Sequence, residues 1–210
     1  IEQPMAAAIG ANLPINEPVG SMVIDIGGGT SESAILSLGG VVALQAVRVG
    51  SFDIDSAITQ YIRREYGIAI GEQTAEKIKI TMGSAYPTAD EFKAEVRGRE
   101  LMSGLPKTVI LSPEEVRAAI EEPVSAIIDS VVACLGNAPP ELAQDLIVQG
   151  IHLVGGGGML RGLAQRLTDE TDVRVDLVDL PLECVALGAG RCIESYEALK
   201  VMFMEDNSRR

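Results

Sequence analysis

Two segments of the sequence place a run of glycines directly after a short aliphatic stretch. The first reads MVIDIGGGT, and its polar and glycine positions are Asp25, Gly27, Gly28, Gly29 and Thr30. Glycine lacks Cβ, so the N–H groups of such a run can approach an anion closely and form a concavity that binds phosphate. Asp25 would hold Mg²⁺ through water, since Mg²⁺ prefers oxygen ligands and retains waters. The Thr30 hydroxyl would bond a phosphate or an attacking water. The alternative is an ordinary glycine-rich hairpin with Asp25 as a turn residue.

The second glycine run has a different arrangement, because a stretch with helical patterning follows it. It reads HLVGGGGML and contains Gly155, Gly156, Gly157 and Gly158. A strand, glycine run and helix in this order let a flat purine or a ribose lie against the backbone, with partial positive charge from the helix N-terminus. The alternative is a close strand-to-helix crossover. Two such turns in one chain favour a nucleotide site.

Hydrophobic periodicity and turn residues predict the elements that position these two runs. The predicted helices cover residues 2–13, 53–66, 74–80, 112–135, 159–168 and 184–203. The predicted strands cover residues 21–26, 32–37, 41–49, 91–96, 108–111, 151–154 and 173–177. The first three strands form an antiparallel meander, since short glycine-containing turns separate them. Ser112 is the predicted N-cap of the fourth helix, which we expect to be kinked at Pro123.

The order of these elements is strands, then helices, then alternating strands and helices. Such an order predicts an α/β fold that carries an inserted segment near residues 50–116. The 210 residues are enough for one large domain or for a domain with an insertion. With 47% hydrophobic but only 3% aromatic residues, the core must be built from Ala, Val, Ile and Leu.

Composition also excludes several classes of function. The formal charge of −13 would repel a phosphate backbone, so nucleic acid is not an expected partner. Three cysteines without CxxC spacing and a single histidine leave no cluster for a transition metal, which fits a reducing cytoplasm. No stretch approaches the roughly 18 consecutive apolar residues that a membrane span requires. The chain starts at Ile1, and we expect it to be a fragment of a longer protein.

The motifs have a specific resemblance. DIGGGT is similar to the second phosphate-binding motif of the actin, Hsp70 and sugar-kinase ATPases, and LVGGGGML is similar to their adenosine-binding motif. The stretches EQPMAAAIGANLP, VRGRELMSGLPKTVILSPEEVRAAIEEPV and PLECVALGAG resemble the MreB family of bacterial actin-like, cell-shape-determining ATPases over nearly the whole length. The chain resembles the C-terminal half of such a protein, its domain II.

The resemblance implies an actin-like, ribonuclease H-like ATPase domain with a mixed sheet and a smaller inserted α+β subdomain. The core subdomain would comprise residues 1–50 and 117–205, the inserted subdomain residues 51–116, and a tail residues 206–210. Gly188-Ala189-Gly190 resembles the small-residue helix that crosses between the two halves of the fold, where small side chains permit a close approach.

The resemblance also implies roles for three further residues. Glu76 and Lys79 match the pair that holds base and ribose, and residues three apart share one face of a helix. Without the resemblance, a solvated ion pair would be the preferred interpretation of these two residues. Gln3 stands where the family usually has a glutamate that orients the hydrolytic water. Glutamine can orient water, but it cannot act as a general base. Phe52 departs from an expected Gly-Asp-Glu-like turn, and we expect it to cap the core.

As a member of this family, the chain would contribute part of an Mg-ATP site to a head-to-tail cytoskeletal filament. The filament would organise cell-wall synthesis and cell shape in the cytoplasm, at the inner face of the membrane. Hydrolysis would need the N-terminal domain, so the fragment alone should be inactive. Cell-wall elongation proteins or membrane-anchored regulators are expected partners, and membrane contact would come from parts outside this sequence. The alternatives are an Hsp70-like chaperone or sugar kinase on the same fold, or a nucleotide-binding scaffold without turnover.

Overall fold

The computed structural model describes residues 1–89 and 92–194 of the chain. Its helices are α1 (Gln3–Gly10), α2 (Ser51–Tyr66), α3 (Glu72–Met82), α4 (Pro113–Gly136), α5 (Pro140–Gln149), α6 (Leu163–Thr171) and α7 (Cys184–Glu194). Its strands are β1 (Ser21–Ile26), β2 (Ser31–Ser37), β3 (Gly40–Val47), β4 (Ile68–Ala69), β5 (Ala94–Glu100), β6 (Pro106–Leu111), β7 (Ile151–Val154) and β8 (Val175–Leu177). In the described ranges, no helix has the length and apolar character that a bilayer span would need.

The main sheet has five strands in the order β3-β2-β1-β7-β8. Strands β1, β2 and β3 form the predicted antiparallel meander, whereas β7 pairs in parallel with β1 and with β8. The sheet is therefore mixed, as the resemblance implied. Parallel pairing matters for the site, because β1 and β7 both end at the same edge of the sheet. Both glycine runs leave the sheet at that edge.

A second sheet of three antiparallel strands has the order β4-β5-β6. It lies within the chain segment that also contains α2 and α3. Apolar side chains of α2 and α3 join those of the main sheet in one continuous cluster. Ile54, Ile58 and Ile78 of these helices lie in it together with Met22 and Ile24 of β1. Both sheets therefore contribute side chains to this cluster.

Helix α4 starts where the sequence predicted and shows the expected capping. The Ser112 hydroxyl accepts from the Glu115 N–H at 3.3 Å, and the Glu115 carboxylate accepts from the Ser112 N–H at 2.8 Å. These two reciprocal hydrogen bonds satisfy N–H groups that have no carbonyl partner within the helix. The helix then continues through Pro123 to Gly136.

Helices α1 and α7 cross in close contact on the face of the main sheet opposite the core described above. A Cβ placed on Gly188 would overlap the carbonyl oxygen of Ala6 and lie 2.9 Å from the backbone nitrogen of Gly10. A Cβ on Gly10 would in turn overlap the backbone of Cys184. The Arg191 guanidinium donates to the carbonyl oxygens of Ile9 and Gly10 at 2.7 and 2.9 Å. Helix α7 therefore fixes the position of α1.

The structure corrects several predicted elements. The helix expected over 159–168 is a 3-10 turn at Gly157–Met159 followed by α6, since Gly162 has a φ of +73° that interrupts a helix. Helix α5 and the short strand β4 were missed, and β5 runs to Glu100 rather than ending near residue 96. The end of the helix predicted to reach residue 203 and the tail at 206–210 lie outside the described residues.

Candidate functional site

The first glycine run is held from behind by the start of α2. The N–H groups of Ser51 and Phe52 donate to the carbonyl oxygens of Gly27 and Gly28 at 3.0 and 2.8 Å. In a trans peptide, the C=O of one residue and the N–H of the next point in opposite directions. The N–H groups of Gly28 and Gly29 therefore point away from α2, and no backbone hydrogen bond among the described residues uses them as donors. Such a pair of N–H groups can bind phosphate.

The first glycine run and the start of α2 come very close to each other. A Cβ on Gly50 would lie 2.5 Å from the carbonyl oxygen of Gly28, and a Cβ on Gly28 would lie 2.6 Å from the ring of Phe52. The Gly50 N–H donates at 2.8 Å to the Asp53 carboxylate, which fixes the entry into α2. The loop and the first turn of α2 therefore pack directly against each other.

Asp25 is nearly buried at the end of β1, with 3% of its surface exposed. One carboxylate oxygen, Oδ2, accepts from the Gln3 side-chain amide at 2.7 Å. The other, Oδ1, faces the second glycine run, since a Cβ on Gly155 would lie 2.5 Å from it. The structure thus brings Asp25, Gln3 and Gly155 together, although they come from three separate parts of the sequence.

Glu32 lies opposite Asp25 on the neighbouring strand β2. Its pKa is raised above the usual value, first by burial and then by the negative charges of Asp25 and Glu2. This end of the sheet is therefore rich in carboxylates. A cation or a cationic group bound here would relieve their mutual repulsion.

The second glycine run starts from β7 and turns sharply against β1. Gly155 has a φ of +83°, a left-handed conformation that favours glycine, and its N–H donates to the carbonyl oxygen of Pro181 at 2.9 Å. A Cβ on Gly157 would collide with the side chain of Ile26, and one on Gly158 would lie 2.9 Å from Leu153. The run therefore needs small residues because it packs closely on β1 and β7, whether or not a ligand also lies against it.

Lys79 reaches across from α3 to the start of α2. Its ammonium donates to the Asp55 carboxylate at 2.8 Å and to the carbonyl oxygen of Ser51 at 3.2 Å. Glu76 lies on the same face of α3 and lines the same cleft as Lys79. The prediction that these two residues point into one cleft is consistent with this placement.

A cleft of about 490 Å³ lies between the two glycine runs and α3. Its size is that of a typical small-ligand site. Six of the residues singled out from the sequence line it, namely Gly27, Gly28, Glu76, Lys79, Gly156 and Gly157. The remaining candidates lie around it: Gly29 and Thr30 are exposed at the turn, Gly155 and Gly158 pack beneath it, and Gln3 and Asp25 pair at the end of β1.

Several residues that line the cleft were not found by sequence reasoning. Phe52 is 66% exposed and forms a wall of the cleft beside Gly28, so the expectation that it caps the core is wrong. Arg161 donates to the carbonyl oxygens of Gly83 and Thr81 at 3.3 and 3.1 Å and thereby ties the second glycine run to the end of α3. The apolar lining comes from Ile54, Ile80, Met159, Leu160 and Leu182. The apolar residues Met159 and Leu160, which directly follow the second glycine run in the sequence, are the signal that could have identified part of this lining.

The same lining determines which groups the cleft can hold. Its apolar part suits a flat base, while the outward N–H groups of Gly28 and Gly29 suit phosphate. Within residues 1–89 and 92–194, no cluster of three or more His, Cys, Asp and Glu side chains could hold a metal ion. One carboxylate with waters and phosphate oxygens is nevertheless the usual set for Mg²⁺, and Asp25 fits that role.

Comparisons with known proteins give a consistent answer. The model of the family described as MreB/Mbl protein matches residues 1–201. The cell shape-determining protein MreB of Escherichia coli (strain K12) is 50% identical over 197 residues, covering 94% of this chain and 57% of that protein. The cell shape-determining protein Mbl of Bacillus subtilis (strain 168) is 40% identical over 198 residues, covering 94% and 60%. The chain thus spans less than two thirds of the length of these relatives.

Solved structures agree with the sequence relatives. MreB5 of Spiroplasma citri bound to ADP superposes with a TM-score of 0.90 at 37% identity, covering 94% of this chain and 60% of that one. The same protein bound to AMPPNP gives a TM-score of 0.90 at 36% identity and covers 97% and 61%. A MamK double helical filament gives a TM-score of 0.75 at 23% identity, covering 92% and 58%, which supports the fold alone. The fold is actin-like.

Proposed function

Because the chain belongs to the MreB/Mbl protein family, we propose that it supplies half of the Mg-ATP site of a bacterial actin-like ATPase that polymerises into cytoskeletal filaments. The observation that carries this proposal is the cleft of about 490 Å³, where both glycine runs meet Glu76 and Lys79. Two nucleotide-bound structures of MreB5 share the fold of this chain at a TM-score of 0.90, which supports ATP or ADP as the ligand.

In this proposal the phosphates lie at the first glycine run and the adenosine at the second. The N–H groups of Gly28 and Gly29 bind phosphate oxygens, since the first turn of α2 orients both away from itself. Glu76 and Lys79 bind the ribose and base, and Gly156 and Gly157 allow the base to lie against the backbone. Met159 and Leu160 supply apolar surface on the same side.

Asp25 would hold Mg²⁺ through water, and the bound ion would offset the negative charge on the phosphates. Gln3 already contacts Asp25 at 2.7 Å, so its amide lies next to the metal and phosphate side of the cleft. The amide orients the hydrolytic water by donating and accepting hydrogen bonds, and the Thr30 hydroxyl adds a bond to the water or to a phosphate. Since an amide takes up no proton at neutral pH, we expect slow hydrolysis.

The chain spans 57% of the E. coli relative, so we propose that protein outside these residues completes the site and that hydrolysis needs both parts. Residues 1–50 and 117–205 would form the core subdomain, and residues 51–116 the inserted one. The filament would be head-to-tail, would lie in the cytoplasm at the inner face of the membrane, and would direct cell-wall synthesis with membrane-anchored regulatory partners.

Sedimentation tests this proposal. The complete protein, meaning the chain with any residues its gene encodes on either side, is centrifuged with and without Mg-ATP, as wild type and as Asp25→Ala. We expect nucleotide-dependent pelleting that Asp25→Ala abolishes. Asp129→Ala removes an exposed carboxylate on α4 and serves as the control for nucleotide binding. A protein that binds ATP and never pellets would instead indicate a chaperone, a kinase or a scaffold.

The position of Gln3 favours one second candidate, a filament or scaffold that binds nucleotide with little turnover. Gln3→Glu would place a carboxylate beside Asp25 and supply a general base. We expect phosphate release from ATP to rise by at least about 10-fold, within the range that general-base catalysis contributes. An unchanged rate would show that position 3 does not limit hydrolysis.

A further inference from the structure

The ion pair between Lys79 and Asp55 joins the two helices that border the cleft. Lys79 belongs to α3 and Asp55 to the second turn of α2, and their charged atoms are 2.8 Å apart. A lysine ammonium has three donors. Asp55 and the carbonyl oxygen of Ser51 accept two of them. The third donor is the one that a bound ribose or base would use.

The pair is shielded from water, unlike most ion pairs on a protein surface. The side chains of Lys79 and Asp55 are only 12% and 14% exposed. Screening by solvent is therefore weak, and the geometry is restricted by packing. Burial raises the pKa of Asp55 above its usual value, whereas the hydrogen bond and charge of Lys79 act in the opposite direction. Because burial of a charged pair largely offsets its mutual attraction, the pair is better described by the geometry that it fixes than by a gain in stability.

Ser51 connects this pair to the phosphate side of the cleft. Its carbonyl oxygen accepts from Lys79, while its N–H donates to the carbonyl oxygen of Gly27 at 3.0 Å. One residue of α2 therefore contacts the cation of α3 and also the glycine run. Of its two bonds to α2, a lysine released from Asp55 would retain only the longer one, at 3.2 Å to Ser51, and its position relative to the glycine run would be less restricted.

We propose that Asp55 is a positioning residue, which holds the Lys79 ammonium in the cleft so that it binds the adenosine part of the nucleotide. The inference rests on the proposed function, since it assigns Lys79 to the same nucleotide site. Asp55 itself lies behind Lys79 and lines a neighbouring cavity of about 610 Å³ together with Glu76 and Phe52. It acts through Lys79 and not by contact with the ligand.

A double-mutant cycle tests the proposal in the complete protein. ADP binding is measured for wild type, Asp55→Asn, Lys79→Met and the double variant, with Asp129→Asn, at an exposed position of α4, as the control. We expect Asp55→Asn to weaken ADP binding by about 10-fold, or 1.4 kcal/mol. In the Lys79→Met background the same change should alter affinity by less than about 2-fold, because coupled residues are not additive. Additive effects, or equal affinity of Asp55→Asn and wild type, would overturn the inference.

A second readout needs no nucleotide. Labelling of lysines by an amine-reactive reagent is followed by mass spectrometry in wild type and in Asp55→Asn. We expect Lys79 to react at least about 3-fold faster in the variant, since a buried ion pair restrains its ammonium, while Lys107, which pairs with Glu100, keeps its rate. An unchanged Lys79 rate would overturn the positioning role even if ADP binds. If Lys79 is labelled faster in Asp55→Asn but the wild type does not bind ADP, the proposed function is refuted. The ion pair would then restrain Lys79 without any role in nucleotide binding.

Discussion

The crossing of α1 and α7 allows a sharp test of how the site is held. Helix α7 contains two glycines in different surroundings. A Cβ on Gly188 would overlap the Ala6 carbonyl oxygen, whereas a Cβ on Gly190 would meet no atom within 4 Å. Gly188→Ala and Gly190→Ala are therefore matched variants in one helix, with the same chemical change.

The expected magnitudes follow from two opposing effects. Replacing glycine by alanine inside a helix stabilises it by about 1 kcal/mol, and this gain applies to both variants. At Gly188 the added methyl forces α1 and α7 apart, and overpacking of this kind costs about 1–3 kcal/mol. The free energy of unfolding should therefore be higher for Gly190→Ala than for Gly188→Ala by about 1–3 kcal/mol.

The assay is urea unfolding of both variants and wild type, followed by circular dichroism. Helix α1 carries Gln3, whose amide contacts Asp25 at 2.7 Å, so displacement of α1 should also weaken that contact. We expect Gly188→Ala to bind ADP more weakly than Gly190→Ala. Equal free energies of unfolding for the two variants would refute the reasoning, because it would mean that the helices do not pack as closely as the structure shows.

Three further predictions follow from other parts of the structure. Gly155→Ala places a Cβ 2.5 Å from Asp25 at a φ of +83°, and we expect unfolding free energy to fall by at least about 1–2 kcal/mol; the same loss in Gly156→Ala would contradict this. Burial lowers the pKa of His152, so the stability it contributes is present above about pH 6.5 and is lost as the pH falls further. His152→Gln should therefore reduce the fall in unfolding free energy between about pH 7 and 5. If the variant and the wild type lost stability equally over this range, His152 would not be the group responsible. Ser112→Ala removes the α4 cap and should cost about 1 kcal/mol in urea unfolding, whereas an unchanged midpoint would exclude that contribution.

Much of the fold was predictable from the sequence because its signals are local. The antiparallel meander was confirmed, since glycine-containing turns separate short aliphatic strands. The cap at Ser112 was also confirmed, and it was predictable because the N-cap serine, the proline and the acidic residues are adjacent in the chain. The 3-10 turn after the second glycine run was not predicted, because Gly162 interrupts a stretch whose apolar spacing also suits a helix.

The site was predictable only in part. The sequence marked both glycine runs as suited to a nucleotide because glycine lets backbone N–H groups approach an anion, whereas Glu76 and Lys79 were assigned only through the resemblance to the MreB family. It could not reveal that Asp55 holds Lys79 or that Phe52 lines the cleft, since both contacts involve neighbours distant in sequence. Phe52 was expected to cap the core where a Gly-Asp-Glu-like turn was missing, but its ring is 66% exposed and packs beside Gly28 at the wall of the cleft.

By itself, the sequence determined where the backbone can turn, which faces are apolar and which residues have the chemistry for phosphate and Mg²⁺. Only the tertiary structure decided that these residues meet. The parallel pairing of β1 with β7 sets Asp25 beside Val154, and both glycine runs therefore leave the sheet at one edge. The pairing joins segments more than 100 residues apart, so no local pattern shows that these two strands become neighbours.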